Sequence, residues 1–235
     1  WLPDEVNLAD DLRDYREKMT EGNKRLLGQI FRFFTQADVD VCCGYAKHYL
    51  PTFKQPEVRM MLSAFAAMEA VHQEAYSLLL ETLGFRDDEY QKFFEHKEML
   101  DKHEYLGNFG METPMDIAKT LAIYSGFTEG VQLFSSFAIL LNFPRHNLMK
   151  GMGQIVTWSV RDETLHVEGM SHLFRAFVKE NPDIWNDDLK YEIYCAAERT
   201  VELEDAFIDL CFEGAEVPNL TPDEIKGYIR YIADR

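Results

Sequence analysis

The chain has 235 residues, 46% of them hydrophobic, enough to bury a substantial core in one large domain or two small ones. Its 24 basic against 41 acidic residues give a formal charge of −17, which argues against nucleic acid or an anionic membrane as the main partner, because both need clustered Lys and Arg. Four cysteines, Cys42, Cys43, Cys195 and Cys211, form neither a CxxC pair nor a disulfide-like framework, and read as reduced thiols of a cytoplasmic protein.

Proline and glycine punctuation predicts helices at 21–49, 56–83, 87–105, 114–143, 145–180, 184–213 and from 222 onward. Strand signals are nearly absent, and the length of these helices suits an all-α bundle of long helices. No Gly/Ser-rich or low-complexity linker interrupts the pattern, so residues 1–235 read as one domain. The richest apolar run, 133–143, is broken by two serines and an asparagine and falls short of the roughly 18 residues of a membrane span. Nothing at the start reads as a secretory leader. The chain opens at Trp1 without an initiator methionine, and the helix begun by Thr221-Pro222-Asp223-Glu224 runs to Arg235 without a stop signal, so further residues are expected at both ends.

Within these helices one pattern occurs twice: Glu69-Ala70-Val71-His72 and Glu163-Thr164-Leu165-His166. A spacing of three puts carboxylate and imidazole on one helix face. A further acid lies in the segment before each copy, Asp38 and Glu129. Asp38 stands 12 residues before the turn near Leu50, and Glu69 stands 13 after Pro56, so the two legs match and bring both acids to one height. The second hairpin, from Glu129 to Phe143 and back to Glu163, matches similarly. Four carboxylates and two histidines so arranged are the ligand set of a dinuclear metal site in a helical bundle.

A single Glu three residues before a His is expected by chance about once in a chain this acidic; two copies on matched hairpins are far more specific. Phe65, Met68 and Leu79 around the first copy, and Val160, Leu165 and Val167 around the second, suggest buried faces, where unpaired carboxylates would cost several kcal/mol each. Two dications would balance Asp38, Glu69, Glu129 and Glu163. Carboxylate and imidazole ligation without thiolate favours iron or manganese over structural zinc, calcium or magnesium.

Tyr76 follows Glu69 by seven residues and His72 by four, on the same stripe, while the equivalent position in the second half is Met170. It is either a phenol placed for oxidation by the metals or a core tyrosine. Asp162 flanks Glu163 and is either a surface acid or an orienting partner of a ligand imidazole. Gly126 and Gly130 bracket Glu129 and permit either a helix distortion or close helix packing. His48, His96, His103, His146 and His172 lack paired spacing and read as surface or structural, and Tyr228 and Tyr231 as core or dimer-contact residues.

The series Asp38, Glu69-x-x-His72 with Tyr76, Glu129, and Arg161-Asp162-Glu163-x-x-His166 resembles the radical-generating small subunit of class I ribonucleotide reductase over essentially the whole chain. The opening Trp1-Leu2-Pro3-Asp4-Glu5-Val6 is similar to that family's Trp-x-Pro-Glu-Glu segment, with Asp4 in place of a glutamate. The resemblance implies a ferritin-like bundle with additional long helices and a diiron, dimanganese or mixed centre that reacts with dioxygen or a reduced oxygen species. It also implies storage of the oxidising equivalent on Tyr76 and transfer to a separate large subunit that reduces ribonucleotides, with Trp1, Asp162 and His72 as the relay out of the site. A homodimer, a C-terminal docking tail beyond Arg235, and a flavodoxin-like activator if manganese and superoxide are used belong to the same implication. Leu133 and Phe137 fit the family's apolar pocket around the tyrosine, whereas Ser159 departs from it. Two other classes remain: a dimetal oxidase or oxygenase acting on its own substrate, which more typically begins its ligand set with glutamate, and a ferritin-like iron store, usually a shorter chain.

Overall fold

A computed structural model describes residues 1–86, 92–106 and 110–235. After a 3-10 turn at Pro3–Glu5 come α1 (Ala9–Glu17) and α2 (Glu21–Gly44), which runs on through a π turn at Tyr45–Tyr49 and a last turn at Leu50–Thr52. Then follow α3 (Pro56–Leu83), a 3-10 turn at Lys92–Glu95, α4 (Lys97–Leu106) and α5 (Pro114–Thr120), which continues as a π-helical segment over Leu121–Gln132 into α6 (Phe134–Arg145). The chain closes with α7 (Lys150–Glu180), a 3-10 turn at Pro182–Ile184, α8 (Asp187–Phe212) and α9 (Pro222–Asp234). Among the described residues the only β feature is an isolated bridge between Val217 and Leu220.

The ends of α3 fall where the sequence put them. Pro56 occupies the first turn, where its missing N–H costs nothing, and Gly84 at φ 88° closes the C-terminus. Four expectations need correction. Residues 97–106 form a helix, but 92–95 are a 3-10 turn, and 87–91 lie outside the described residues, so 87–105 is not one helix. The expected 114–143 helix is split by its π segment. The helix expected from 145 begins at Lys150, because Asn147 and Met149, at φ 59° and 51°, make the turn out of α6. The helix expected from 184 begins at Asp187, where Asn186 Oδ1 accepts from the Leu189 N–H at 3.0 Å.

The start of α7 is capped from far away in sequence, by a helix the sequence reading did not anticipate. On α1, Asp11 Oδ2 and Oδ1 accept from the N–H groups of Gly151 (2.9 Å) and Met152 (2.7 Å), and Asp14 Oδ2 accepts from Met149 (3.1 Å). These satisfy donors that the first helical turn leaves open. Gly151 is required there, because an added Cβ would lie 2.8 Å from Asp11 Oδ2 and 2.9 Å from the Asn7 carbonyl. The same contact ties the segment that begins at Trp1 to α7.

Packing pairs α2 with α3 and α7 with the π segment and α6, while α8 and α9 cover the outer side of the π segment and α6. Two apolar clusters result. The larger includes Leu27, Phe34, Tyr76, Phe137, Val156 and Phe207, and the smaller includes Val41, Tyr45, Phe65, Leu121 and Met170. Asp38 lies between Phe34 and Val41, Glu69 between Phe65 and Tyr76, Glu129 between Leu121 and Phe137, and Glu163 between Val156 and Met170. Four helical segments thus carry an acid across the same seam between two oily regions. Tyr228 and Tyr231 do not join the core: they are 36% and 62% exposed, and Ile225 and Ile229 supply the buried stripe of α9. Leu165, at 47% exposed, also faces away from the site its neighbours line.

The distant cap gives a direct prediction. Asp11→Ala, which strands the two helix-start donors of Gly151 and Met152, is expected to destabilise the fold by about 1–3 kcal/mol in urea unfolding, whereas the exposed Asp10→Ala shifts it by no more than about 0.5 kcal/mol. Equal effects of the two substitutions would contradict the capping role.

Candidate metal centre

Asp38 on α2, Glu69 and His72 on α3, Glu129 in the π segment, and Glu163 and His166 on α7 converge, each no more than 2% exposed. Ligand atoms of Glu69, Glu129, Glu163 and His166 lie within 4.8 Å of one another, as do those of Asp38, Glu69 and His72. Glu69 belongs to both groups. Glu163 also spans them, with Oε1 3.1 Å from His72 Nδ1 and Oε2 3.4 Å from His166 Nδ1. His166 Nδ1 is in turn 3.0 Å from Glu69 Oε1 and 3.6 Å from Glu129 Oε1. The six residues picked out by spacing are therefore brought together as two adjoining clusters that could each hold a cation, with Glu69 in both and Glu163 reaching from one to the other.

The donor set fits two dications. Asp38 Oδ2, Glu69 Oε1, Glu129 Oε2, both oxygens of Glu163 and His166 Nδ1 are buried without a hydrogen-bond partner, a cost that coordination would remove. Burial raises Asp38 well above the usual carboxylate range, with Glu69 adding to it, and burial raises Glu129 to about 7 against the pull of His166. Burial works against charge on the rings too, but the surrounding carboxylates prevail. Asp162, Glu163 and Glu69 hold His72 well above its ordinary value, and Glu129, Glu163 and Glu69 lift His166 to about 12. Without cations, protons do part of their work.

Both rings turn Nδ1 inward, and their outer nitrogens meet different partners. His72 Nε2 lies 3.3 Å from Asp162 Oδ2, which also accepts from Trp1 Nε1 at 2.7 Å. A carboxylate can only accept, so His72 carries its proton on Nε2 and presents Nδ1 to a metal. Burial opposes the charge of Asp162, but the bonds from His72, Trp1 and Arg161 hold its pKa at about 2. Trp1 stacks 5.9 Å from the His72 ring and lies tilted 5.1 Å from Trp158, centroid to centroid. His166 Nε2 instead faces the thioether of Met68 at 3.3 Å, and Phe65 lies 4.4 Å from its ring.

Tyr76 is buried beside this centre, stacked on Phe34 at 4.6 Å, and Phe34 packs in turn against Phe137 at 5.2 Å. Its hydroxyl donates to Ser159 Oγ at 3.1 Å. The polar departure at Ser159 is thus the phenol's partner. Burial and nearby Asp38 push the Tyr76 pKa upward, keeping it a neutral phenol. A second phenol escaped the sequence reading: Tyr45, fully buried, donates to Glu129 Oε1 at 2.7 Å. Its signal was present, since Tyr45 follows Asp38 by the same seven residues that separate Tyr76 from Glu69. Trp158 carried no such signal. Of the unpaired-spacing histidines, His103 Nδ1 lies 2.5 Å from Asp40 and His96 Nε2 lies 3.2 Å from Gln29, both away from the site.

The family model "Ribonucleotide reductase, small chain" matches residues 1–235. The chain is 45% identical over 270 residues to a probable ribonucleoside-diphosphate reductase small subunit of Invertebrate iridescent virus 6, covering 100% of this chain and 75% of that one. Its fold is shared by the ribonucleotide reductase R2 subunit from Clostridium botulinum (TM-score 0.91, 21% identity, 99% of this chain and 74% of that one). It is shared also by dimanganese(II)-NrdF of Streptococcus sanguinis (TM-score 0.84, 22% identity, 99% and 81%).

Protonated rings and the raised carboxyls of Asp38 and Glu129 must give up protons to bind metal, so loading is expected to release about two or more protons per chain near neutral pH, with affinity rising as pH rises. Calorimetric titration of the metal-free protein with manganese in buffers of different ionisation enthalpy measures this. Uptake without proton release would contradict the assignment of both Nδ1 atoms as ligands.

Proposed function

The chain belongs to the ribonucleotide reductase small-chain family, and from that membership and its buried carboxylate–histidine centre we propose how it serves as the subunit that generates and exports an oxidising equivalent. As the small subunit of ribonucleoside-diphosphate reductase, an oxidoreductase, it works with the large subunit, which carries out reduction of the nucleotide. Asp38, Glu69 and His72 would hold one metal ion and Glu129, Glu163 and His166 the other, with Glu69 and Glu163 within reach of both groups. The donor set suits iron or manganese, in matched or mixed pairs. Bound there, the ions supply the redox chemistry, activating an oxygen species to obtain the oxidising equivalent.

The chain's own residues then store and route it. Tyr76 would supply an electron and its phenolic proton to the oxidised centre and so become a tyrosyl radical, against the ring of Phe34 in the apolar core. Ser159 holds the phenol's orientation through the 3.1 Å hydrogen bond. Asp162 anchors the way out: one carboxylate oxygen faces both the Nε2–H of His72 at 3.3 Å and the Nε1–H of Trp1 at 2.7 Å. That single link carries the reading: a carboxylate behind a ligand imidazole is common to metal sites, but this one also holds an indole at 2.7 Å and so offers a way out of the centre. His166, with a thioether behind it, has no equivalent exit.

Beyond the large subunit, a second copy of this chain would pair through long-helix faces, and a flavodoxin-like activator would be needed if the metals are manganese and the oxidant superoxide. A cytoplasmic setting fits the free thiols of Cys42, Cys43, Cys195 and Cys211. No helix of the described residues is long and apolar enough to cross a membrane.

The decisive experiment loads metal-free protein separately with iron and manganese, exposes each to dioxygen or superoxide, and records paramagnetic resonance spectra. A tyrosyl signal is expected that Tyr76→Phe abolishes while two metals per chain stay bound; its survival in that variant would move the radical elsewhere. For the exit, Asp162→Asn is expected to retain both metals and the signal but to lower turnover with the large subunit by about 10–100-fold. Unimpaired turnover would remove Asp162 from the route.

A further inference from the structure

A second buried charged cluster, which the relay and the ligand set do not use, lies on the outer side of the π segment. Lys102 of α4 and Glu204 of α8 are both completely buried and paired through Nζ and Oε1. The ammonium sits over the rings of Phe33 at 3.6 Å and Phe207 at 4.3 Å and donates to the carbonyl of Gln132 at 3.3 Å. The other oxygen of Glu204 accepts from the Ser135 hydroxyl. Stability does not explain such a pair, because well-packed apolar residues of similar volume hold a core at least as well as a buried ion pair.

Its contacts do explain it. Gln132 is the last residue of the π segment and Ser135 lies in the first turn of α6, three and six residues after Glu129. A π register twelve residues long is far from the single-turn bulge in which it usually appears, and it needs outside support. The carbonyl end of a helical segment is its negative pole, where a cation is favourable. At the other end, Tyr49 donates to the carbonyl of Thr120, the residue just before the π segment, at 3.1 Å. Between the two, Tyr45 holds the Glu129 side chain at 2.7 Å.

We propose that Lys102, neutralised by Glu204, is a positioning residue for Glu129: it pins the carbonyl end of the Leu121–Gln132 π segment and so fixes where that segment presents its carboxylate. The proposal rests on the reading of Glu129 as a metal ligand only for its functional consequence; the clamp itself is a property of the metal-free chain.

The test is Lys102→Met/Glu204→Gln, which removes both charges together and leaves an amide oxygen for Ser135. Hydrogen exchange of the metal-free protein is expected to quicken at least about tenfold across 121–132 while α2 and α7 exchange as in the unsubstituted chain. In titrations with manganese alone, one of the two ions is expected to bind about tenfold more weakly and the other unchanged. Exchange unchanged at 121–132, or raised equally everywhere, would overturn the clamp, as would two unaltered manganese affinities with intact fold. If the double variant fails to fold, the apolar pair Lys102→Met/Glu204→Leu, which also removes the bond to the Gln132 carbonyl, decides: faster exchange confined to 121–132 supports the clamp, and none overturns it. Should the unsubstituted protein bind no manganese, the ligand assignment fails, while the exchange comparison still judges the clamp.

Discussion

Four carboxylates held within a few ångströms of each other and cut off from water repel one another, and the placement of the surrounding elements is organised around this cost. Asp38, Glu69, Glu129 and Glu163 sit where two apolar clusters meet, and among the described residues neither solvent nor a lysine or arginine reaches them. Two protonated imidazoles offset part of the charge and leave several oxygens and one ring nitrogen without partners. Two divalent ions would satisfy those atoms and release the protons. The bundle is accordingly a stiff apolar frame built to impose close approach on groups that would separate without cations.

Function depends on how the two halves of this arrangement differ. Each half supplies an acid and a Glu-x-x-His pair, yet the outer nitrogen of His72 meets Asp162 and Trp1 whereas that of His166 meets Met68. A carboxylate fixes a tautomer and links onward to an indole; a thioether does neither. The phenols differ as well. Tyr76 donates to a neutral hydroxyl in an aromatic pocket, and Tyr45 donates to a ligand carboxylate. Of the four lone or paired acids, only Glu129 is carried on a π-helical stretch, and that stretch is bonded at both ends and at Glu129 itself by side chains from the π turn that follows α2 and from α4.

The ligand set was legible because it is written in local spacing: an interval of three fixes one helix face, and equal hairpin legs fix the height. The ends of α3 were legible for the same reason, through Pro56 and Gly84. What escaped the sequence depends on partners remote along the chain. The start of α7 is set by Asp11 and Asp14, more than 130 residues earlier. The glycines beside Glu129 left a distortion and close packing equally open, and both are found: the π register, and Gly130, where an added Cβ would come within 3.3 Å of Val167. Ser159 stood out as polar, but its meaning lies in a hydroxyl 83 residues away. Tyr45 was readable from its interval to Asp38, an interval given weight only at Tyr76.

The central claim, that buried repulsion is resolved by a pair of shared cations, is tested most directly by anomalous X-ray diffraction from crystals loaded with iron or manganese, recorded at the edge of each metal. Two peaks are predicted, one enclosed by Asp38, Glu69 and His72 and the other by Glu129, Glu163 and His166, with Glu69 and Glu163 reaching both. A single peak, or metal bound elsewhere while these carboxylates stay paired with the two histidines, would contradict it.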